Sequence, residues 1–372
     1  MRSHALSLTR ATRFARSPGT TSASCIGSAQ LEHRYGAPID NTQLITSVRN
    51  RVTHELCLFN GLRASKPQQF VGSPPAADES KPRCDFCAPS YDTMTATDVG
   101  FGRIQGRHVL TASNLFKYCG PYQAVVFSRH KHDVLDFTLD ELCDYLSVSA
   151  EWFRACVSEH DRAAANGGSS PSSPCSSSSP SSSSSLNPML IWNAGERSGA
   201  SQKHQHMQLL LSASAFPQHA VLEQLTAAYE GDYHRDLVEA HREVGLAHTS
   251  PSGSTIFVSL LPTKNREMVV VGENGIEDPE FQRLVFVGLR TMIDECGTNS
   301  FNLGVLPGAH GTEDMVSGRV VARLASRGQA GQTSIASDYG GLEVFGGASI
   351  GHDDPFNVKA CLDCQLAIDA SR

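Results

Sequence analysis

The chain has 372 residues, of which 40% are hydrophobic and 19% charged, and its formal net charge is −7 at pH 7. This length allows one large or two modest domains with a sizeable core. The negative charge excludes a molecule-wide basic field for nucleic acid, and no run approaches the ~20 apolar residues of a membrane span. We therefore expect a soluble protein that binds neither nucleic acid nor membrane.

The first 31 residues contain arginines at positions 2, 10, 13 and 16, frequent serine and threonine, and no acidic residue. We expect residues 1–37 to be a disordered N-terminal segment. The composition is that of an organellar transit peptide, whereas a plain disordered tail or a mis-called start would explain it equally well. The expected location is a mitochondrion or plastid, or the cytoplasm.

Eleven cysteines are present, an odd number, and in a chain of this length without a secretory segment we expect reduced thiols. Two Cys-x-x-Cys pairs stand out, Cys84/Cys87 and Cys361/Cys364. The second pair lies in a predicted helix at 358–369. Its spacing places both thiols on one helix face, for which we expect core packing.

The first half of the chain predicts a strand at 122–127, a long helix at 139–160 and a short apolar strand at 189–193. Residues 166–187 are almost all serine, with proline and glycine, and cannot bury enough apolar surface to fold. We expect this serine tract to be a disordered insertion between the helix and the strand of one domain.

The second half predicts the same order of elements. The segments are strands at 255–261, 268–271, 300–306 and 319–324 and a helix at 278–295. In the last strand Arg319 and Arg323 alternate with apolar residues, where the first half carries His204 and Gln208. Phosphate neutralisation, an exposed edge and an internal salt bridge explain the two arginines equally well. We predict an α+β protein of two similar halves, residues 38–215 and 216–372, of which the second has lost the histidines of the motif.

The most informative segment is 198–208 (SGASQKHQHMQ), which leads into three leucines. If it is a strand, one face carries Gln202, His204, His206 and Gln208. A neutral imidazole can attack a phosphate while amide N–H groups hold the developing charge. A bare His-x-His pair is more often a solvated face or a metal-ligand pair. The small residues before it and the trailing glutamine make the pattern more specific.

The 16 residues 193–208 (NAGERSGASQKHQHMQ) resemble the His-x-His-x-Gln branch of the histidine-triad superfamily, the nucleotidylyl transferases and nucleotide phosphorylases. Their sequence is most similar to the motif of ATP adenylyltransferases, also called diadenosine tetraphosphate phosphorylases. Galactose-1-phosphate uridylyltransferases share the core of the motif and consist of two such halves. The resemblance implies an antiparallel sheet with helices, a nucleotide substrate, and phosphate or a sugar phosphate as acceptor, and it allows a homodimer. Gln205 stands where the adenylyltransferase motif has a lysine between its two histidines. We expect Lys203, on the same strand face, to substitute in part for that lysine.

By this resemblance, His206 attacks the α-phosphorus and carries a nucleotidyl-histidine intermediate, while Gln208 holds a non-bridging phosphate oxygen. The donor is a diadenosine polyphosphate, with GDP-hexose or UDP-hexose as alternatives. A nucleotide-binding protein without turnover is a further alternative. The other candidate substrate contacts are Asn193, Gly199, Ser201, Gln202, Lys203, Asn114 and Lys117.

His204 has two interpretations. Zinc-binding members of the branch carry an early Cys-x-x-Cys, a histidine after a strand, and then the first histidine of the motif. Cys84, Cys87, His132 and His204 match that order and would form a Cys2His2 site for a structural Zn²⁺. His130 matches it as well as His132 does. Otherwise His204 is hydrogen-bonded into the catalytic site. A zinc-organised interaction module is the third class of function that the pattern allows.

Overall fold

The computed structural model describes residues 84–165, 186–307, 316–328 and 353–371, together with the backbone of four strands nearer the N-terminus. These strands are β1 (Phe14–Arg16), β2 (Thr20–Ala23), β3 (Thr42–Asn50) and β4 (Leu56–Asn60). Each of the other three pairs antiparallel with β3. β1 and β2 lie within 1–37, where composition predicted disorder. The structure differs there because pairing with β3 gives their backbone groups partners that composition does not reveal.

One antiparallel sheet of nine strands organises the rest of the described chain. Its strands are β5 (Val109–Ser113), β6 (Tyr122–Ser128), β7 (Asn187–Ala194), β8 (His206–Ser212), β9 (Ala247–Thr249), β10 (Thr255–Val258), β11 (Met268–Gly272), β12 (Phe301–Leu306) and β13 (Val320–Ser326). They lie in the order β5-β6-β8-β7-β12-β13-β11-β10-β9. The predicted α+β class with an antiparallel sheet is confirmed. The serine tract, as far as residue 185, lies outside the described residues.

Six α-helices accompany the sheet within the described ranges. They are α1 (Ser90–Met94), α2 (Leu139–Ala165), α3 (Pro217–Ala227), α4 (Tyr233–Glu243), α5 (Pro279–Arg290) and α6 (Pro355–Ala370). A π-helical turn, Thr291–Glu295, extends α5. Among the described helices none has the length and apolarity to span a membrane.

The sheet contains two copies of one unit, with β9 added at one edge. The first contains β5, β6, α2, β7 and β8, and the second contains β10, β11, α5, β12 and β13 in the same chain order. β7 and β12 pair at the centre, from Leu190↔Val305 to Ala194↔Phe301. Outward from that pair the strands are β8, β6 and β5 on one side and β13, β11 and β10 on the other. The predicted two-half architecture is therefore confirmed, while the exact domain boundaries stay a prediction.

Strand periodicity separates a core face of the sheet from an open face. In β12, Phe301, Leu303 and Val305 are buried, while the residues between them are partly exposed. In β8, Met207 and Leu209 join the same core cluster, which α2 and α5 also fill. Because successive strand side chains alternate, the histidine and the glutamine that alternate with them in β8 face the open side.

A capping box starts α2 and fixes the loop before it. The Thr138 hydroxyl accepts from the Glu141 N–H at 3.2 Å, and a Glu141 carboxylate oxygen accepts from the Thr138 N–H at 2.8 Å. Glu141 also accepts from Lys131 Nζ at 2.9 Å. This ion pair ties the segment after β6, which carries His132, to the helix.

The second Cys-x-x-Cys pair does not pack in the core. The buried face of α6 consists of Val358, Leu362 and Gln365. Cys361 is only half-buried beside that face and Cys364 is exposed. The core-packing prediction is wrong for Cys364, because the helix turns a neighbouring set of positions towards the sheet.

Candidate active site

His206 opens β8 with its ring held in one orientation. It is 7% exposed, and its Nδ1 lies 2.7 Å from the backbone carbonyl oxygen of His204. A carbonyl only accepts, so Nδ1 carries the proton and donates. In the neutral ring this leaves Nε2 with its lone pair. The local backbone therefore selects the tautomer that a nucleophilic imidazole requires.

Gln208 follows on the same face of β8 and is oriented by a residue that the motif does not contain. The Tyr118 hydroxyl donates to Gln208 Oε1 at 3.2 Å. Since the oxygen end of the amide is bound, the Nε2 end is the one that can donate to a ligand. Tyr118 itself is fixed because Gln123 Oε1 accepts from its backbone N–H at 2.8 Å. Sequence reasoning missed Tyr118, although it named two neighbours in the same loop.

Those neighbours, Asn114 and Lys117, support the loop that carries Tyr118. Asn114 Oδ1 accepts from the backbone N–H of Phe116 at 2.8 Å. Lys117 is 5% exposed, and its charge opposes the pKa increase that burial imposes on Asp98. These contacts give both residues a place in the loop, and their contact with substrate stays a prediction.

The turn between β7 and β8, residues 195–205, includes a 3₁₀ turn at Glu196–Ser198. Gly195 has φ +84°, and a Cβ there would lie 2.3 Å from the Asn299 carbonyl oxygen, so only glycine fits. Gly199 has φ +85°, but a Cβ there would meet nothing within 4 Å. Gly199 therefore serves the backbone conformation and leaves open space beside the turn.

The turn is held from the second half of the molecule. Asn302 on β12 donates through Nδ2 to Asn193 Oδ1 at 2.7 Å and to the Ser198 carbonyl oxygen at 2.9 Å. Arg327 in turn donates to Asn302 Oδ1 at 3.0 Å. Sequence reasoning placed Asn193 in the site but missed Asn302 and Arg327. The one available signal was a polar residue alternating with the core positions of a predicted strand.

The approach to β8 differs from the predicted continuous strand. Residues 201–205 form bends, and regular strand geometry begins at His206. The backbone of Gln205 pairs instead with the loop after β6, because its carbonyl accepts from the Ser128 N–H and its N–H donates to the Lys131 carbonyl. Ser201 is buried, Gln202 is half-buried and Lys203 is exposed.

Gln205 is a structural residue. It is 1% exposed, its Nε2 donates to the carbonyl oxygens of Asp133 and Asp136, and the Tyr145 hydroxyl donates to its backbone carbonyl oxygen. Lys203 and Gln205 therefore do not share an exposed face. The predicted shared strand face is wrong, because this segment is bent where a strand was predicted, while a partial substitution by Lys203 stays a prediction.

Four predicted metal ligands lie together beside His206. The ligand atoms of Cys84, Cys87, His132 and His204 all lie within 4.8 Å of one another. His204 Nδ1 is 3.4 Å from Cys84 Sγ and 3.7 Å from Cys87 Sγ. In a tetrahedral zinc site, bonds of ~2.3 Å to sulfur and ~2.0–2.1 Å to nitrogen separate S and N ligands by ~3.6 Å. The two His204 distances match this value, whereas His132 Nε2 lies 2.8 Å from Cys87 Sγ and would move away from it on binding the ion. His132 belongs to the cluster and His130 does not.

The protonation states of the cluster suit a metal. His204 Nε2 donates to the Ser128 carbonyl oxygen at 2.6 Å, so the lone pair of Nδ1 faces the two thiols. Burial, with His132 and His206 nearby, lowers the pKa of His204 to about 4, so the ring is neutral at pH 7. Burial also raises the pKa of Cys84 to about 11, so its thiolate needs a bound cation. The donor set fits zinc.

Phe86, between the two cysteines, joins this cluster to the nucleophile. Its ring stacks on Phe127 at a centroid distance of 4.6 Å and lies 5.6 Å from the ring of His206. The wall behind His206 is therefore built by the Cys-x-x-Cys loop.

Both candidate arginines of the second half form salt bridges. Arg319 pairs with Asp232 at 2.6 Å and with Glu273 at 2.9 Å. Arg323 donates from Nε to Glu267 Oε1 at 2.6 Å. The salt-bridge interpretation therefore applies to each of them.

No protein-family model and no curated protein matches the chain. Among solved structures, the chain is similar to a uridylyltransferase, with a TM-score of 0.57 and 14% identity over 86% of this chain and 98% of that one. A galT-like protein from Arabidopsis thaliana gives a TM-score of 0.53 and 14% identity over 75% of this chain and 91% of that one.

An ADP-glucose phosphorylase from Arabidopsis thaliana with bound ADP-glucose gives a TM-score of 0.52 and 14% identity over 86% of this chain and 97% of that one. These similarities show a shared fold. The fold that the resemblance implied, an antiparallel sheet with helices in two similar halves, is thereby confirmed.

Proposed function

We propose that this protein is a nucleotidyltransferase or nucleotide phosphorylase whose nucleophile is His206. The observation that carries the proposal is the bond from His206 Nδ1 to the His204 carbonyl, which leaves the Nε2 lone pair for attack. Attack on phosphorus by Nε2 requires this tautomer, so the fixed ring supports a nucleophilic role.

The reaction takes two displacements. The Nε2 lone pair forms a bond to the α-phosphorus of the donor, the bond from that phosphorus to the bridging oxygen breaks, and the leaving phosphate keeps the electron pair. The ring then carries a positive charge, which the His204 carbonyl oxygen stabilises at Nδ1. An oxygen of the acceptor phosphate next attacks the same phosphorus, and Nε2 recovers its lone pair. The covalent intermediate divides one difficult transfer into two easier ones.

Gln208 and the turn stabilise the phosphoryl oxygens in this proposal. With Oε1 held by Tyr118, Nε2 of Gln208 donates to a non-bridging oxygen where charge develops. The open space beside Gly199 admits the phosphates next to the one under attack. Ser201 and Gln202, which follow the turn, are the proposed contacts of those phosphates.

The proposed donor carries an adenylyl group. The sequence of the motif favours ATP or a diadenosine polyphosphate as donor, with inorganic phosphate as acceptor. A nucleoside diphosphate hexose is the second candidate, and the fold shared with a phosphorylase that holds ADP-glucose favours it.

We also propose that Cys84, Cys87, His132 and His204 hold a structural Zn²⁺. The ion would stabilise the thiolates and cross-link two loops. His204 gives its side chain to this cluster and its backbone carbonyl to His206, so the cluster also positions the nucleophile. This dual use of His204 makes it a positioning residue.

The test is covalent labelling. The protein is incubated with α-³²P-labelled ATP, ADP-glucose, GDP-glucose and UDP-glucose in turn, and protein-bound label is assayed for the acid lability of a phosphoramidate. We expect label with at least one donor, its loss in His206→Asn, and its retention in the control His219→Asn on α3. Absence of label with every donor, or label unchanged in His206→Asn, overturns the proposal.

The arginine-rich start of the chain supports an organellar location as a separate proposal. A fluorescent fusion of the full chain should localise to a mitochondrion or plastid and become diffuse when residues 1–37 are removed. An unchanged distribution would contradict a transit peptide.

A further inference from the structure

A row of directly paired residues crosses the open face of the sheet from Gln208 to the second half. Gln208 pairs with Ile191, Ile191 with Gly304, and Gly304 with Arg323. Directly opposite residues of antiparallel strands point to the same face. With neighbouring strands ~4.8 Å apart, the row spans ~14 Å from β8 to β13.

Apolar clusters close both ends of this row. Beyond Gln208, Val125 packs with Phe127 and with Phe86 of the Cys-x-x-Cys loop. Beyond Arg323, Val269 packs with Val238 of α4. The row thus forms the floor of a cleft bounded by these two clusters.

The side chains in the middle of the floor project little above the sheet. Ile191 is half-buried and Gly304 has no side chain. A Cβ built on Gly304 would meet nothing within 4 Å. The missing side chain therefore leaves open space above the strand, and this glycine is not required by close packing in the core. A glycine in a strand interior weakens the strand and often marks the approach of a ligand.

Arg323 stands at the far end of the floor in a fixed orientation. Its side chain is 43% exposed, while its partner Glu267 is 1% exposed. The second carboxylate oxygen of Glu267 accepts from the Thr263 hydroxyl at 3.0 Å, which fixes the carboxylate. The bond to Glu267 engages the Nε–H of Arg323. The terminal guanidinium nitrogens suit a bidentate phosphate.

We propose that this cleft binds a polyphosphate chain, with its reacting phosphate at His206 and Gln208 and a remote phosphate on Arg323. The inference rests on the proposed function and refines its substrate class. A nucleoside or dinucleoside polyphosphate places an anion at the second-half end of the cleft, whereas a nucleoside diphosphate hexose places a neutral sugar there. The structure thus assigns the specificity of the site to a strand of the half that lacks the His-x-His pair.

Kinetics with two donors test the inference. In Arg323→Gln, the loss of a charge-assisted contact should raise the KM for diadenosine tetraphosphate by about 10-fold or more. The KM for ADP-glucose should change by less than about 2-fold, since no charged contact to it is lost. The matched control is Arg319→Gln, because two carboxylates already hold Arg319.

Two further variants protect the test against misfolding. Gly304→Val adds a side chain where the cleft is open and should raise the same KM with the Arg323–Glu267 pair intact. The double variant Arg323→Gln/Glu267→Gln removes the cation without leaving a buried carboxylate unpaired. Equal effects on both donors, or no effect of any of these variants, overturn the inference.

Equilibrium binding separates this inference from the proposed function. Inorganic tripolyphosphate is titrated into His206→Asn with and without Arg323→Gln, which requires no turnover. We expect the Kd to rise by about 10-fold or more when Arg323 is replaced. An unchanged Kd overturns the polyphosphate site even if His206 is labelled, while absent label on the wild-type protein overturns the nucleotidyl transfer whatever the Kd.

Discussion

The hydroxyl of Tyr118 donates to Oε1 of Gln208 over 3.2 Å and turns the amide so that its nitrogen can donate. Tyr118 belongs to the loop between β5 and β6, whereas Gln208 belongs to β8, 90 positions further along the chain. The sheet brings them together because β6 lies directly beside β8.

Tyr118→Phe should slow nucleotidylation without weakening donor binding. The loss of one hydrogen bond of ~1 kcal/mol predicts a decrease in the labelling rate of about 5-fold. Single-turnover labelling at saturating donor measures it. Tyr229→Phe, distant in the fold and bonded to Asp236, is the control. A raised KM with an unchanged rate would show that Tyr118 binds substrate and does not orient Gln208.

Cys84→Ser should remove bound zinc and lower the melting temperature. A cluster without its ion leaves four polar groups around a partly buried space, and it no longer fixes the backbone of His204. The zinc content of the purified variant, measured by metal analysis, and its labelling rate should therefore fall together. Cys364→Ser, at an exposed thiol, should change neither quantity. Stoichiometric zinc in Cys84→Ser would contradict the proposed ligand set.

Asn302→Ala should impair the site from the second half. The variant removes two donated bonds, at 2.7 and 2.9 Å, that hold Asn193 and the carbonyl of Ser198. At ~1 kcal/mol for each bond, the labelling rate should decrease by about 10-fold or more. Asn357→Ala on the exposed face of α6 is the control. An unaltered rate would mean that the turn keeps its shape without Asn302.

The ion pair between Asp232 and Arg319 should stabilise the folded protein above about pH 4. The hydrogen bonds from Arg319 lower the pKa of Asp232 from 3.8 to about 2. Because the folded-state pKa is the lower one, this contribution is complete above about pH 4 and is lost as the pH falls towards 2. In Arg319→Gln, the free energy of unfolding should depend less steeply on pH over that window. Parallel curves for the variant and the wild-type protein would contradict the assignment.

The sequence was sufficient for features that depend on local periodicity. Alternation in β8 placed His206 and Gln208 on one face, and the repeated element order predicted the two halves. The spacing of Cys84 and Cys87 also indicated a ligand pair. The alternation and the cysteine spacing each lie within a short stretch of chain, so their geometry follows from the backbone conformation alone, and the element order is a succession of such local patterns.

Contacts made by the topology could not be predicted in this way. Tyr118 and Asn302 reach the motif because β6 lies beside β8 and β12 lies beside β7. Gln205 was misassigned because its backbone pairs with the loop after β6 and bends a segment whose pattern suits a strand. The choice of His132 over His130 depends on the path of that same loop, which sequence spacing does not fix.

Peptide mapping of the labelled protein is the most direct test of the central claim. After incubation with the best donor, the protein is digested at neutral to alkaline pH and the modified residue is located by mass spectrometry with electron-transfer fragmentation. We predict a nucleotidyl group on His206 that is released when the acceptor phosphate is added. A nucleotidyl group on His204 or on another residue, or an adduct on His206 that persists with every acceptor, would contradict the claim.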